Sequence, residues 1–131
     1  MSDWKIPLYR IYTDEEDEKI VNKIIKRGNT WAIGEEIEKF ETKLSEFLGV
    51  KYCVVVNSGT SGFHAALLAH EIGSGDEVIV PSFSFISTAN SVLFVQGTPV
   101  FADIEEENYG LDPKSISEKI TNNTKAIMPM D

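Results

Sequence analysis

Residues 54–68 constrain the fold of this chain more than any other stretch, because an apolar run there passes through small residues into a helical pattern. The run CVVV at 53–56 does not alternate with polar residues, which is typical of a strand buried on both faces of a parallel sheet. Small residues then interrupt it at 57–62. A strand, a turn that contains glycine and a helix, in this order, predict an α/β protein.

The helix predicted after this turn has Ser58 or Thr60 as its N-cap and Gly73 as its stop. The first turn of a helix exposes unpaired N–H groups at the positive end of the dipole, so a phosphate binds there favourably. Gly59 and Gly62 would keep side chains away from that anion. The same pattern also describes an ordinary connection between a strand and a helix, and the full P-loop and dinucleotide-binding motifs are absent.

Two amphipathic helices are predicted before this stretch. The first spans residues 13–27, with Thr13 and Glu16 as a capping box and a glycine directly after its end. The second helix follows Gly34, carries an apolar stripe and ends at Gly49.

Strands and helices alternate after the glycine-containing turn. This alternation predicts a mainly parallel sheet flanked by helices, with right-handed crossovers. Pro81 cannot donate to a ladder, so it marks the end of a strand, where α/β sheets place their ligands. We expect residues 1–50 to form an N-terminal helical segment and residues 51–131 to form an incomplete α/β domain. The strands are predicted at 77–81, 98–104 and 125–129, and the helices between them at 82–94 and 113–120.

The composition is that of a globular protein, since the 131 residues are 42% hydrophobic and 25% charged. A net charge of −9 argues against general binding to nucleic acid or to anionic membranes, because phosphate backbones need a basic surface. No stretch approaches a membrane span, and the opening MSDWKIPLYR lacks a signal pattern, so we expect a cytoplasmic protein. Cys53 is expected to be a small core residue, and no metal site is predicted.

Several separate motifs carry a resemblance to one family. They are, in chain order, GNTWAIGEEIEKFE, NSGTSGFHAAL, GSGDEVIVPSFSFISTANSVLFVQGTPVFADI and ITNNTKAIMP. In order and in spacing they resemble the DegT/DnrJ/EryC1/StrS family of pyridoxal-phosphate-dependent sugar aminotransferases. The resemblance covers nearly the whole chain. It implies a part of the large domain of a type I pyridoxal-phosphate-dependent transferase.

The resemblance also implies which residues form a site. Gly59, Thr60 and Ser61 would hold the phosphate of the cofactor, pyridoxal 5'-phosphate, and Phe85 would lie over its ring. Trp31 would line the pocket of the sugar-nucleotide substrate, although a role as a plain hydrophobic anchor is equally open. Phe85 and the phenylalanine two residues before it also fit a second interpretation, in which both are core residues.

The activity implied by the resemblance is transfer of an amino group, from glutamate, to a nucleotide-linked keto-sugar in cell-surface polysaccharide or amino-sugar biosynthesis, by a homodimer. That chemistry needs a Schiff-base lysine and an acid opposite the pyridinium nitrogen. In the family both come after the part that matches this chain. We therefore assign no catalytic residue, and expect the chain to be the N-terminal part of a longer protein and inactive alone. Two alternatives stay open: a dehydratase of the same family that acts on a nucleotide sugar, and a non-catalytic phosphate-binding α/β module.

Overall fold

The computed structural model describes residue 6 and residues 9–130, and the chain divides into two compact units, Met1–Val55 and Val56–Asp131. Within the described residues no helix is both long enough and apolar enough to cross a bilayer. The first unit contains the helices α1 (Glu15–Arg27) and α2 (Glu35–Leu48). The second contains, in order, α3 (Gly59–Ala69), β1 (Glu77–Pro81), α4 (Ser87–Phe94), β2 (Thr98–Ala102), α5 (Pro113–Lys119) and β3 (Thr124–Ile127).

A reciprocal capping box starts α1, one residue later than predicted. The Asp14 carboxylate accepts the backbone N–H of Asp17 at 3.3 Å, and the Asp17 carboxylate accepts the N–H of Asp14 at 3.0 Å. The prediction that Thr13 and Glu16 form this box is wrong, because an aspartate at the next position offers the stronger acceptor and has an acidic partner at the right spacing. Gly28 ends the helix in the left-handed conformation, with φ of 77°, as the sequence predicts.

The bounds predicted for α2 are confirmed. Gly34 is its N-cap, and Gly49 ends it in the left-handed conformation with φ of 67°. None of the residues of α1 or α2 is buried, and the apolar stripes of both helices are at most half-buried in this chain.

The run at 53–56 is extended but forms no strand with any described residue, so the prediction of a strand buried on both faces is wrong. Val54 is 76% exposed, and Cys53 is only half-buried. The backbone N–H of Val55, which a ladder would use, donates instead to the carboxylate of Glu41 on α2 at 2.8 Å. A strand needs a paired neighbour, and the three strands of the described sheet pair only with each other.

The sheet of the second unit is parallel, with the order β2-β1-β3. Ile79 in the central strand is opposite Val100 on one side and Ile127 on the other. The parallel sheet and the end of β1 at Pro81 are confirmed, whereas β2 ends at Ala102, two residues earlier than predicted. The chain turns back there, and Ile104 forms an isolated antiparallel bridge with Leu111.

The core of the second unit lies between one face of the sheet and the helices α3 and α4. The side chains of Val78 and Val80 point to this face, while Ile79, also fully buried, points to the other. The central strand is thus buried on both faces, as expected of an α/β layer. The core cluster consists of Leu67, Ile72, Val78, Val80, Ala89, Val92 and Val95, with Ala126 and Met128 packed against it.

The C-terminus of α3 and the N-terminus of α4 differ from the prediction. The chain leaves α3 after Ala69, with His70 as the C-cap, and does not continue to Gly73. Glu71 there takes a positive φ of 57°, which breaks the helix before the glycine is reached. α4 begins at Ser87, because residues 82–86 form a loop. α5 starts as predicted, with Asp112 as the N-cap and Pro113 as the first helical residue.

Candidate cofactor site

The first turn of α3 presents two backbone donors. Ser58 is the N-cap, and its hydroxyl oxygen accepts the N–H of Ser61 at 3.1 Å, while its carbonyl accepts the N–H of Gly62 at 3.1 Å. Among the described residues, the N–H groups of Gly59 and Thr60 have no acceptor. These two donors point along the helix axis, where the first N–H groups of a helix always project.

The backbone at Gly59 is open to a ligand. A Cβ atom built on Gly59 would have no atom within 4 Å, whereas one on Gly62 would lie 3.4 Å from Cγ2 of Val56, an ordinary contact. Neither glycine has a positive φ, so the backbone conformation itself does not demand glycine at these positions. The open space at Gly59 is therefore a feature that an approaching ligand would use.

The charge around the first turn of α3 also suits an anion. The first turns of α1 and α2 carry four and three acidic residues respectively, while the first turn of α3 carries none. In a chain of net charge −9 the positive end of the α3 dipole is thus left unneutralised by its own residues. A phosphate dianion would be held there by the dipole and by the two donors.

The topology places this turn toward the carboxyl ends of the strands. α3 is joined to β1 by a short connection at 70–76, and Leu67 near its C-terminal end packs with Val78 and Val80. A helix that packs on a sheet and feeds the next strand in this way runs opposite to that strand. Its N-terminus consequently lies on the side of Pro81, which is where α/β sheets bind their ligands.

Phe85 lies in the loop that follows β1, and its side chain is 76% exposed. Thr88, a buried residue, holds this loop at Phe85 and at the residue before it. The N–H of Thr88 donates to the carbonyl of Phe85 at 3.0 Å, and the hydroxyl groups of Thr88 and Ser84 are 3.0 Å apart. The ring of Phe83 is also exposed, and its centroid is 6.4 Å from that of Tyr109. Neither phenylalanine therefore belongs to the core of the unit.

Trp31 lies in the first unit, in the loop 28–34 between α1 and α2, and is 64% exposed. It anchors no apolar core among the described residues of that unit, because none of the helical residues there is buried. Arg27 and Glu36 form an ion pair at the base of this loop, with a distance of 3.0 Å. Sequence reasoning missed both this pair and Thr88, because their roles depend on hydrogen bonds that no sequence motif predicts.

The comparisons with known proteins agree on one family. The DegT/DnrJ/EryC1/StrS aminotransferase family matches residues 12–131. GDP-perosamine synthase of Vibrio cholerae is 38% identical over 94% of this chain and 34% of its own length. The 3-oxo-glucose-6-phosphate:glutamate aminotransferase of Bacillus subtilis is 38% identical over 95% of this chain and 29% of its own length.

A solved structure extends the agreement to the fold. The NtdA protein of Bacillus subtilis, solved with bound cofactor PMP, superposes with a TM-score of 0.80 at 39% identity, over 89% of this chain and 27% of that one. The chain spans about a third of the length of the curated relatives that it matches. The match over residues 12–131 shows that this chain belongs to the DegT/DnrJ/EryC1/StrS aminotransferase family.

Proposed function

We propose that the whole protein is a pyridoxal-phosphate-dependent aminotransferase that moves an amino group from glutamate to a keto-sugar linked to a nucleotide diphosphate, in cell-surface polysaccharide or amino-sugar biosynthesis. The observation that carries the proposal is the first turn of α3, where two N–H groups without an acceptor among the described residues, an open glycine and the lack of any carboxylate coincide. The proposal includes that the whole protein is a homodimer and is located in the cytoplasm. The similarity to GDP-perosamine synthase and to the 3-oxo-glucose-6-phosphate:glutamate aminotransferase supports the reaction class.

The residues present fit the cofactor. The N–H groups of Gly59 and Thr60, with the hydroxyl of Ser61, would hold its phosphate, because three donors at a helix N-terminus match a dianion. Phe85 offers an exposed flat ring that would stack on the pyridine ring. When bound, the cofactor supplies an electron sink and carries the amino group. The contribution of these residues is to bind and orient it, while Trp31 would line the substrate pocket.

A sugar phosphate is a second candidate for the substrate. The Bacillus subtilis relative is named for a 6-phosphate of glucose, not for a nucleotide sugar, at the same identity as the Vibrio cholerae relative. One relative is named for an amino sugar and the other for a keto-sugar, which are the product and the substrate of amino transfer. The proposed reaction class is therefore the same in the two candidates. The two candidates differ in the group attached to the sugar, which is a nucleotide diphosphate in the first and a phosphate in the second.

Two measurements on the whole protein test the proposal. The first is the affinity for pyridoxal phosphate and for inorganic phosphate, in the wild type, in Phe85→Ala and in the control Phe83→Ala. We expect pyridoxal phosphate to bind far more tightly than phosphate, and Phe85→Ala alone to weaken it. Equal affinity for the two ligands, unchanged by Phe85→Ala, would favour a non-catalytic phosphate-binding module.

The second measurement is the formation of 2-oxoglutarate from glutamate with nucleotide-linked keto-sugars and with keto-sugar phosphates. Amino transfer to a nucleotide-linked sugar is the expected result. Loss of a sugar hydroxyl without amino transfer would identify a dehydratase, and amino transfer to the sugar phosphates alone would identify the second substrate class. If no product forms with any of these substrates, the proposal of an aminotransferase is overturned.

A further inference from the structure

The loop that carries Trp31 is held by one arginine. Arg27, the last residue of α1, donates from Nε to the carbonyl of Asn29 at 3.2 Å and from Nη2 to the carbonyl of Thr30 at 2.9 Å. Its Nη1 donates to both carboxylate oxygens of Glu36, at 3.0 and 3.1 Å. One side chain thus joins the end of α1, the loop and the first turn of α2.

The ion pair of Arg27 and Glu36 is less exposed than the ion pair of Lys39 and Glu35 in the same unit. Its side chain is 25% exposed and that of Glu36 is 30% exposed, whereas the side chains of the pair Lys39 and Glu35 are 64% and 53% exposed. A half-buried, forked arginine that satisfies two backbone carbonyls fixes geometry, which an exposed lysine pair does not. The contact therefore constrains the loop and is more than a solvated charge pair.

The loop holds a strained residue directly before the tryptophan. Thr30 has a positive φ of 49°, a conformation that β-branched residues rarely adopt. Such strain persists where surrounding contacts over-determine it, and it concentrates at functional sites. The Nη2 contact of Arg27 with the Thr30 carbonyl is one of these contacts, and the other described contact is the 3.2 Å hydrogen bond from the Thr30 hydroxyl to Oδ1 of Asn29.

Gly34 lies directly against the contacts that Arg27 makes with Glu36 and with the loop. A Cβ atom at this position would lie 2.6 Å from Nη2 of Arg27, 2.5 Å from Oε2 of Glu36 and 3.1 Å from the carbonyl of Thr30. A side chain there must displace the arginine fork. The absence of a side chain at Gly34 is therefore part of what lets the fork reach the loop.

We propose that Arg27 is a positioning residue that holds Thr30 in its left-handed conformation and thereby fixes the direction in which Trp31 is presented to the substrate. The inference about the loop stands on the contacts above, and its substrate part rests on the proposed function. Glu36 orients the fork, and Gly34 leaves room for it.

The loop part is tested in the 131-residue chain, with Trp4→Phe so that Trp31 is the only tryptophan. Arg27→Lys keeps the charge but loses the fork, and Lys39→Gln is the control, because it breaks an exposed pair in the same unit. We expect Arg27→Lys and Gly34→Ala to lower the fluorescence anisotropy of Trp31 and to raise its quenching by acrylamide, with no change in Lys39→Gln. An unchanged Trp31 signal in Arg27→Lys overturns the proposal.

A double substitution separates strain from a simple loss of structure. Asparagine tolerates the left-handed conformation, so in a Thr30→Asn background the loop needs Arg27 less. We expect the effect of Arg27→Lys on Trp31 to shrink in that background. An effect of equal size in both backgrounds contradicts the role of Arg27 in holding Thr30.

The substrate part is tested on the whole protein. We expect Arg27→Lys to raise KM for the sugar substrate about tenfold with a smaller change in kcat, because the loop conformation that presents Trp31 would be populated less in the variant. If the Trp31 signal changes and KM does not, the loop inference stands and the substrate role of Trp31 falls. If no sugar substrate reacts with the wild type, the proposed function fails, while the fluorescence result still decides the loop inference.

Discussion

The hydroxyl oxygen of Ser58 accepts the backbone N–H of Ser61 at 3.1 Å, and their hydroxyl groups are 3.0 Å apart. The cap therefore occupies the N–H of Ser61, whereas those of Gly59 and Thr60 have no acceptor among the residues that the structure describes and are available to a ligand. Ser61 would contribute its hydroxyl to an anion and not its backbone. The cap and the candidate site are thus one structure, in which the side chain that starts the helix also decides which donors are free.

Ser58→Ala should destabilise the protein, because it removes the acceptor for the N–H of Ser61. Loss of such an N-cap costs about 1 kcal/mol, within a range of about 0.5 to 2 kcal/mol. The measurement is the free energy of unfolding in urea. Ser74→Ala, in an exposed turn, is the control and should change it by less than about 0.5 kcal/mol. Equal effects of the two substitutions would show that the cap does not support the helix.

The parts of the fold that depend on local chemistry could be predicted from the sequence. The cap at Ser58 was one of two candidates, and the end of β1 at Pro81 follows from a missing donor. The strand at 53–56 could not be excluded in this way, because a strand exists only with a partner that lies elsewhere in the chain. A local pattern describes the residue and says nothing about its neighbour in space.

The candidate site shows the same division. The positions of Gly59, Thr60 and Ser61 in one helical turn follow from a motif of consecutive residues. Arg27 and Glu36 are nine residues apart on different helices, and their contact depends on how the loop between them folds. The positive φ of Thr30 is likewise invisible in the sequence, since threonine is a poor residue for that conformation. Non-local contacts and strain are what the structure adds.

Ile79→Ala should destabilise the second unit strongly. Ile79 is fully buried in the central strand, on the face opposite to Val78 and Val80. Truncation of a buried isoleucine to alanine costs about 2 to 5 kcal/mol through lost transfer energy and the cavity left behind. Urea unfolding measures the effect, and Ile127→Ala on the half-exposed neighbouring strand is the control. A loss at Ile79 no larger than at Ile127 would mean that this face of the sheet is poorly packed.

Acidification should release the turn that follows β2. The Glu105 carboxylate accepts the backbone N–H groups of Glu107 at 2.6 Å and Asn108 at 2.8 Å, and these bonds lower the pKa of Glu105 below its ordinary value. A lowered pKa in the folded state means that the stabilising contribution is complete above the unfolded pKa and is lost as the pH falls through the folded one. The loss should therefore begin below about pH 4.

The amide proton shifts of Glu107 and Asn108, followed by NMR against pH, measure this release. Both should move together with the titration of Glu105. In Glu105→Gln, which keeps an acceptor oxygen but carries no charge, the acid-induced shift should vanish. Persistence of the shift in that variant would assign it to another group.

Gly59→Ala should separate stability from cofactor binding. The built Cβ meets no atom within 4 Å, and Gly59 lacks a positive φ, so alanine fits the folded chain without strain. Because alanine also restricts the unfolded chain, the free energy of unfolding should stay equal or rise by about 0.4 to 1 kcal/mol.

In contrast, the affinity of the whole protein for pyridoxal phosphate should fall about tenfold in Gly59→Ala, the size of one lost charge-assisted hydrogen bond, because the methyl group occupies the space beside the two free donors. The matched control is Gly73→Ala, which lies beyond the C-terminal end of α3 and whose Cβ would be 3.9 Å from its nearest atom, the carbonyl oxygen of Val95. Fluorescence titration with pyridoxal phosphate and urea unfolding measure the two quantities on the same samples. A loss of affinity that is as large in Gly73→Ala as in Gly59→Ala would show that the phosphate is not held at the first turn of α3.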